Sequence, residues 1–325
     1  MRFLLPLLLS SLAWSAESTR LFRDPGPIQS LNLAAGPGGL ASAPVSPFVF
    51  VEEETTGVQP KAVVTDARQK KWMVKFGEEA KSENFASRIA WAAGYPVRAS
   101  YFVNGGKISG MPTSGRLAKF VGPDGAFKDA RFQMFDDANF RQVESGTLNL
   151  ADRRDDQREL NGLKLALLLV SNWDVKTGNS AVFEIGGQRY SVISDWGSSL
   201  GDPGSTDRTE RKWNCEAFKR QTGHLMDGVE AGYVHFNYAQ YAGRHESALS
   251  EEIKVEDLNW FLDRVSKLTR SQLKAGAVAS GASEQEATCY SDAILERLSM
   301  FSDIAKSKKP VTTIRTTTTT TTTTK

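Results

Sequence analysis

The chain has 325 residues, 40% hydrophobic and 24% charged, a composition that permits a packed core and excludes wholesale disorder. Lysine and arginine number 40 against 38 aspartate and glutamate, so the charge balance excludes a protein built mainly to hold nucleic acid or a polyanionic surface. Three histidines and two cysteines are too few for a zinc-ribbon array or a disulfide-dense scaffold.

Arg2 precedes a short apolar run, Phe3 to Leu9, which fades by Trp14 into small residues at Ala13, Ser15 and Ala16. This is the pattern of a secretory signal over 1–16, and the run is short for a membrane span. An uncleaved anchor or a misplaced start codon would read the same way. With the signal, the protein is expected outside the cytosol, periplasmic or extracellular. Cys215 and Cys289 could then bridge, and two free buried thiols fit the sequence equally well. Residues 17–46, rich in Gly, Pro, Ala and Ser, read as a flexible leader.

Strands are expected at Phe48–Val51, Lys61–Asp66 and Trp72–Phe76. A helix follows, with Ser82 as its cap, Glu83 in its first turn, and Gly94 and Pro96 at its end. Ser100–Val103 reads as another strand, with Asn104-Gly105-Gly106 as a turn. Residues 110–150 show no order that pattern alone can resolve. Leu160, Leu163, Leu167 and Val170 then mark an apolar helix over about 156–170. It runs into a loop, 171–179, and a hairpin in which 180–185 and 188–194 flank Gly186-Gly187. The last third is helical. One helix carries Val255, Leu258, Phe261 and Val265, and another opens on the capping box Ser283/Glu286. A low-complexity tail, 307–325, ends in nine consecutive threonines at 316–324. Between leader and tail, 47–306 forms one domain, β-rich first and α-rich second.

Four features fall in an order that suits phosphoryl transfer. Lys75 lies inside an apolar strand, where an ammonium is costly without anionic partners. Glu83 follows on the next helix. Asp174 and Asn179 share the loop after the apolar helix, and Asp195 closes the hairpin strand. Such chemistry needs a lysine for phosphates, a carboxylate to orient it, an aspartate to accept a hydroxyl proton, and oxygen ligands for metal ions. Blander readings exist for each. Lys75 could snorkel from a strand edge, Glu83 could serve the helix dipole, and Asp174, Asn179 and Asp195 could be turn residues. The histidines 224, 235 and 245 lack metal-ligand spacing, and Ser198 and Ser199 lack a nucleophile elbow.

Asp174-Val175-Lys176-Thr177-Gly178-Asn179 resembles the catalytic loop of protein kinases, D-[LIV]-K-x-x-N, and Asp195-Trp196-Gly197 resembles their metal-binding D-F-G. The Lys75 strand with Ser82-Glu83-Asn84 and Arg88 to Gly94 is similar to the corresponding part of HipA-type kinases. The pattern also resembles an uncharacterised group of exported bacterial proteins, and secretory-pathway kinases offer a parallel. The resemblance implies an α+β, protein-kinase-like two-lobed fold with a β-rich N-lobe and an α-rich C-lobe. It implies ATP and Mg²⁺ as cofactors and a hydroxyl-bearing acceptor (protein, sugar or lipid). Lys75 would hold ATP phosphates and Glu83 would pair with it. Asp174 would be the base, Lys176 would touch the γ-phosphate, and Asn179 and Asp195 would bind Mg²⁺. The sequence departs from the family in three places. No glycine-rich loop lies between the first strands, Asn172-Trp173 replaces His-Arg, and no A-P-E follows Asp195. These departures favour a HipA-like or small-molecule kinase over a regulated protein kinase. A pseudokinase, a binding module of the envelope without turnover, is the alternative, and a structural envelope protein is the third.

Overall fold

A computed structural model of the chain describes residues 19–55, 57, 59–135, 137–201, 212–223, 225–237 and 247–307. The signal over 1–16, the threonine tract and the histidines 224 and 245 lie outside them. No helix among the described residues is long and apolar enough to cross a membrane.

The first half is a closed barrel. Its strands are β1 (Phe48–Glu54), β2 (Lys61–Thr65), β3 (Lys71–Phe76), β4 (Ser100–Ser109) and β5 (Ala126–Met134), in the order β1-β2-β3-β5-β4. Neighbours are antiparallel except the closing β1–β4 pair. Side chains alternate across a strand, so Trp72, Val74 and Phe76 of β3 meet Ala130 and Phe132 of β5 inside the barrel. Phe48, Phe127 and Phe132 pack there with ring centroids 4.6–6.4 Å apart. The outer face of β3 is covered too, which is why Lys71–Phe76 reads as an almost continuous apolar run.

Helix α1 (Glu78–Ala92) joins β3 to β4. It starts earlier than the sequence suggests. Gly77, at φ +83°, turns the chain out of β3 and is the N-cap residue, with its N–H donating to Asp129 O. Ser82 is therefore no cap. It is buried inside the helix, and its Oγ donates to Gly197 O at 2.8 Å. Glu83 accordingly belongs to the second turn, not the first. Nor do Asn104-Gly105-Gly106 form the expected turn: β4 runs straight through them, with Gly105 opposite Lys128 and Gly106 opposite Phe127. The glycine serves close approach there, since a Cβ on Gly106 would sit 3.1 Å from the Phe127 ring.

The second half is built around α2 (Gln157–Leu169), which is buried from Leu160 to Leu169. The other helices are α3 (Cys215–Thr222), α4 (Val255–Val265), α5 (Arg270–Val278) and α6 (Glu284–Lys306), with α4 and α6 packed against α2 and both α3 and α5 against α6. The three-stranded sheet β6 (Arg141–Ser145), β7 (Ser180–Ile185) and β8 (Gln188–Ile193) contains the expected hairpin. A two-stranded ribbon, β9 (Met226–Glu230) and β10 (Tyr233–Phe236), carries His235. The capping box of α6 forms as its sequence predicts, with the Glu286 and Ser283 amides each donating to the other's side chain. Cys215 and Cys289 are joined by a disulfide that ties α3 to α6.

The leader is not free of the fold. From residue 19 onward it is packed, and Leu21, Ile28, Leu31 and Leu33 join the helical core with Phe85, Leu273 and Tyr290. Its carbonyls are taken up by buried or half-buried donors: Arg88 Nε to Leu33 O at 2.9 Å, and Gln272 Nε2 to Ile28 O at 2.8 Å and Leu31 O at 3.0 Å. Glycine and proline keep the segment extended without making it loose, and its apolar residues follow no period that a sequence pattern could show. The described residues thus form one apolar cluster inside the barrel, a larger one among the helices and the N-terminal strap, and a small third one on the β7–β8 hairpin.

Candidate active site

Lys75, the penultimate residue of β3, projects from the outer face of the barrel and is only 7% exposed. It does not snorkel to solvent. Its ammonium lies 2.9 Å from Glu83 Oε2, 3.0 Å from Glu79 Oε1 and 3.6 Å from Asp195 Oδ2. Glu79 and Glu83 are one turn apart and so share a face of α1. Two further cations complete the cluster. Arg131 of β5, directly opposite Lys75, pairs with the other oxygen of Glu83, and Lys212 stands 2.7 Å from Glu79 Oε2. Three carboxylates and three cations thus interleave in a half-buried to buried site, and it is this pairing that makes the buried charges tolerable.

Asp195 follows β8. Its Oδ1 accepts the Gly197 N–H at 2.9 Å, closing a tight turn, while the Trp196 ring is buried with its Nε1 donating to Ile193 O. Gly197 is required by space: a Cβ there would lie 2.5 Å from Glu79 Oε1. Burial opposes the charge on Asp195, yet Lys75 and the Gly197 amide outweigh it and hold the carboxyl down at about 2. Burial also opposes ionisation of Glu79, whose carboxyl is nonetheless held below its ordinary range by Lys75 and Lys212. In Glu83, burial pushes the carboxyl up against the pull of Arg131 and Lys75.

The loop after α2 is laced to the segment after β8. Ser171 takes a positive φ of 51° and turns the chain out of the helix. Asn172 accepts the Asp174 N–H through Oδ1 at 3.2 Å and donates through Nδ2 to Asp195 O at 3.3 Å. Trp173 N–H donates to Ser198 O, and Ser194 N–H to Asn179 O. Asn179 Nδ2 donates to Asp174 O at 2.6 Å and Oδ2 at 3.1 Å, and Lys176 spans both Asp174 oxygens at 2.9 and 3.1 Å. Beneath, Arg297 of α6 donates to Leu168 O, Leu169 O and Ser171 Oγ, fixing where the loop begins.

The six residues singled out in the sequence therefore fall into two linked groups: Lys75, Glu83 and Asp195, in direct contact, and Asp174, Lys176 and Asn179, likewise. The side chain of Asn172 and the backbone N–H of Ser194 join the groups. Sequence reasoning missed Glu79, Arg131 and Lys212, and passed over Asn172 as a departure from the kinase pattern. Glu79 lies one turn before Glu83 and becomes visible once the helix starts at Gly77. Arg131 is found only through strand register, and Lys212 only through tertiary contact.

Oxygen donors suited to a divalent cation are present. One oxygen each from Glu79, Glu83 and Asp195 lie within 4.8 Å of one another. Asn179 commits its nitrogen to Asp174, so its oxygen is the atom it can offer. A carboxylate plus an amide oxygen fits Mg²⁺, a hard ion that takes one or two protein carboxylates and completes its shell with phosphate oxygens and water.

No protein-family model matches the chain, and no curated protein sequence does. Among solved structures, it is similar to the proinflammatory kinase CtkA of Helicobacter pylori, at 14% identity over 79% of this chain and 95% of that one, with a TM-score of 0.47. It is also similar to the Golgi casein kinase, at 11% identity over 86% and 75% of the two chains, with a TM-score of 0.43. The same kinase with Mn/ADP bound gives 10% identity over 86% and 77%, with a TM-score of 0.39.

Proposed function

We infer that the chain is an exported, kinase-like phosphotransferase that uses ATP and Mg²⁺ and acts on a hydroxyl-bearing acceptor. The observation that carries this reading is the meeting of Lys75, Glu83 and Asp195, from a strand, a helix and a hairpin end, at 2.9 and 3.6 Å from one ammonium. Phosphoryl transfer asks the protein mainly for positioning and charge stabilisation, and this arrangement can supply both. In this reading Lys75 binds the α/β-phosphates, and Glu83, itself braced by Arg131, fixes its direction. Asp174 accepts the acceptor's hydroxyl proton. Lys176, which spans the Asp174 carboxylate, reaches toward the γ-phosphate. Asp195 and Asn179 hold Mg²⁺ through their oxygens. The bound ion neutralises charge on the transferring group. Export is supported by the basic-then-apolar start of the chain and by the Cys215–Cys289 disulfide, a bond that persists in oxidising compartments.

Two measurements test the reading together. Mg²⁺-ATP at roughly 100 times its dissociation constant should raise stability by about 2.7 kcal/mol, read as a thermal shift. Labelled γ-phosphate should then move to a member of a panel of protein, sugar and lipid acceptors, and Lys75→Met should abolish that transfer. Binding without transfer would leave the pseudokinase reading, and the absence of both would leave only the structural one.

A further inference from the structure

The outer face of the barrel carries a row of charges that the site above uses only in part. Glu54 of β1, Lys61 of β2, Lys75 of β3 and Arg131 of β5 are directly opposite one another through three successive strand pairings. Opposed residues project from the same face of a sheet, so three cations stand side by side on adjacent strands. Arg131 pairs with Glu83, and Lys75 with all three carboxylates of the cluster. Lys61 differs: it is half-buried, and its ammonium has no carboxylate within ion-pair distance among the described residues. It lies 3.8 Å from the point a Cβ would occupy on Gly57, and so sits against the connection between β1 and β2.

An ammonium held in this position is under tension. Burial and the neighbouring Lys75 charge pull its pKa below the ordinary lysine value, and Glu54, Asp195 and Glu83 only partly offset them. Like charges directly opposite one another on adjacent strands destabilise a sheet, and the carboxylates that neutralise Lys75 form no ion pair with Lys61, so an anion placed between the two ammoniums would relieve the repulsion. The β1–β2 connection, residues 55–60, also has a single glycine, Gly57. A glycine-rich nest of backbone N–H groups that could cradle phosphate is missing from the sequence there.

We propose that Lys61 is a second phosphate-binding lysine, which takes the β- and γ-phosphates of the nucleotide beneath the β1–β2 connection in place of a glycine-rich loop. The proposal rests on the nucleotide-binding reading of the same site. Directly opposed strand residues have Cα atoms about 4.5–5.5 Å apart, close enough for Lys61 and Lys75 to engage neighbouring phosphates of one chain.

Calorimetric titration of the full chain with Mg²⁺-ATP, Mg²⁺-ADP and AMP, on wild type, Lys61→Met and Lys61→Arg, tests it. Lys61→Met should weaken Mg²⁺-ATP and Mg²⁺-ADP at least tenfold while AMP changes less than twofold. Lys61→Arg should recover most of the loss, and the unfolding midpoint of Lys61→Met should be unchanged or higher, because an unpaired charge has been removed. Equal Mg²⁺-ATP binding by wild type and Lys61→Met would overturn the proposal and leave the nucleotide reading intact. A uniform loss across all three ligands, or a lowered unfolding midpoint, would make Lys61 structural and overturn it too. No nucleotide binding by wild type would reject the functional reading, and the proposal with it.

Discussion

Lys75 shows what a single residue does for both stability and chemistry here. Its ammonium is the counter-charge of two buried carboxylates on α1, so its loss leaves Glu79 and Glu83 with only Lys212 and Arg131. Breaking a buried pair from one side costs about 3–5 kcal/mol. Lys75→Met should therefore lower the unfolding free energy read from urea titration by an amount in that range, and adding Glu83→Gln should return part of it, because the two changes couple. Asp195 makes a separate prediction. Asp195→Asn keeps size and turn preference but removes the charge, so Mg²⁺-dependent nucleotide affinity should fall at least tenfold, about 1.4 kcal/mol, while the far-UV spectrum stays native. Calorimetry with and without Mg²⁺ reads the difference, and unchanged affinity would reject the metal role. The acid limb of stability follows from the same residue. The Asp195 carboxyl is held at about 2, below its ordinary value of 3.8, so its ionised form favours the folded chain. That contribution is complete above about pH 4 and fades as the pH falls through about 2. A denaturation series from pH 5 to 2 should show wild type losing stability more steeply than Asp195→Asn.

At the scale of elements, the site depends on where chains enter and leave regular structure. Gly77 and Gly197 let α1 and the post-β8 turn approach until Ser82 bonds Gly197 O and Glu79 touches the space beside Gly197. On the other side, Arg297 of α6 pins the end of α2 and also bonds Phe218 O and Thr222 Oγ1 of α3. The disulfide ties the same two helices, and the residues just before it, Trp213 and Lys212, reach Tyr290 and Glu79 respectively. A cross-link spanning 74 residues restricts the unfolded chain by about 4 kcal/mol on the chain-entropy model. The double variant Cys215→Ser, Cys289→Ser should be less stable by up to that amount in urea titration. An unchanged midpoint would contradict a structural role for the bond.

At the scale of the whole molecule, the two larger apolar cores present one site between them. The barrel contributes Lys75 and Arg131, the hairpin and the α2 loop contribute Asp195, Asp174 and Asn179, and α1 lies between with its apolar face in the helical core. The N-terminal strap runs over the helices and meets β8, where Arg20 exchanges backbone bonds with Arg189 and Ser191. It belongs to the folding unit. Leu33 is 1% exposed within that core, so Leu33→Ala should cost about 2–5 kcal/mol, a value no flexible leader would produce. Thermal or urea unfolding measures it directly.

Local rules sufficed for much of this. The hairpin around Gly186-Gly187, the apolar helix before it, the Lys75 strand and the α6 capping box are short-range patterns, legible because period and turn chemistry act within a few residues. The six candidate site residues were visible for the same reason, since all but Glu83 sit at or near an element end and their order along the chain is distinctive. Tertiary structure decided the rest. Whether Asn104-Gly105-Gly106 bends or extends depended on β5 lying alongside, and the order within 110–150 depended on barrel closure for β5 and on pairing with β7 for β6. Residues 19–46 became structure because a distant helical surface covered their scattered leucines. Arg131, Lys212 and Lys61 acquired meaning only through register and contact across 48, 133 and 14 positions of sequence. Electrostatic partners are chosen by distance in space, and a one-dimensional pattern carries no information on that distance until the strands have paired.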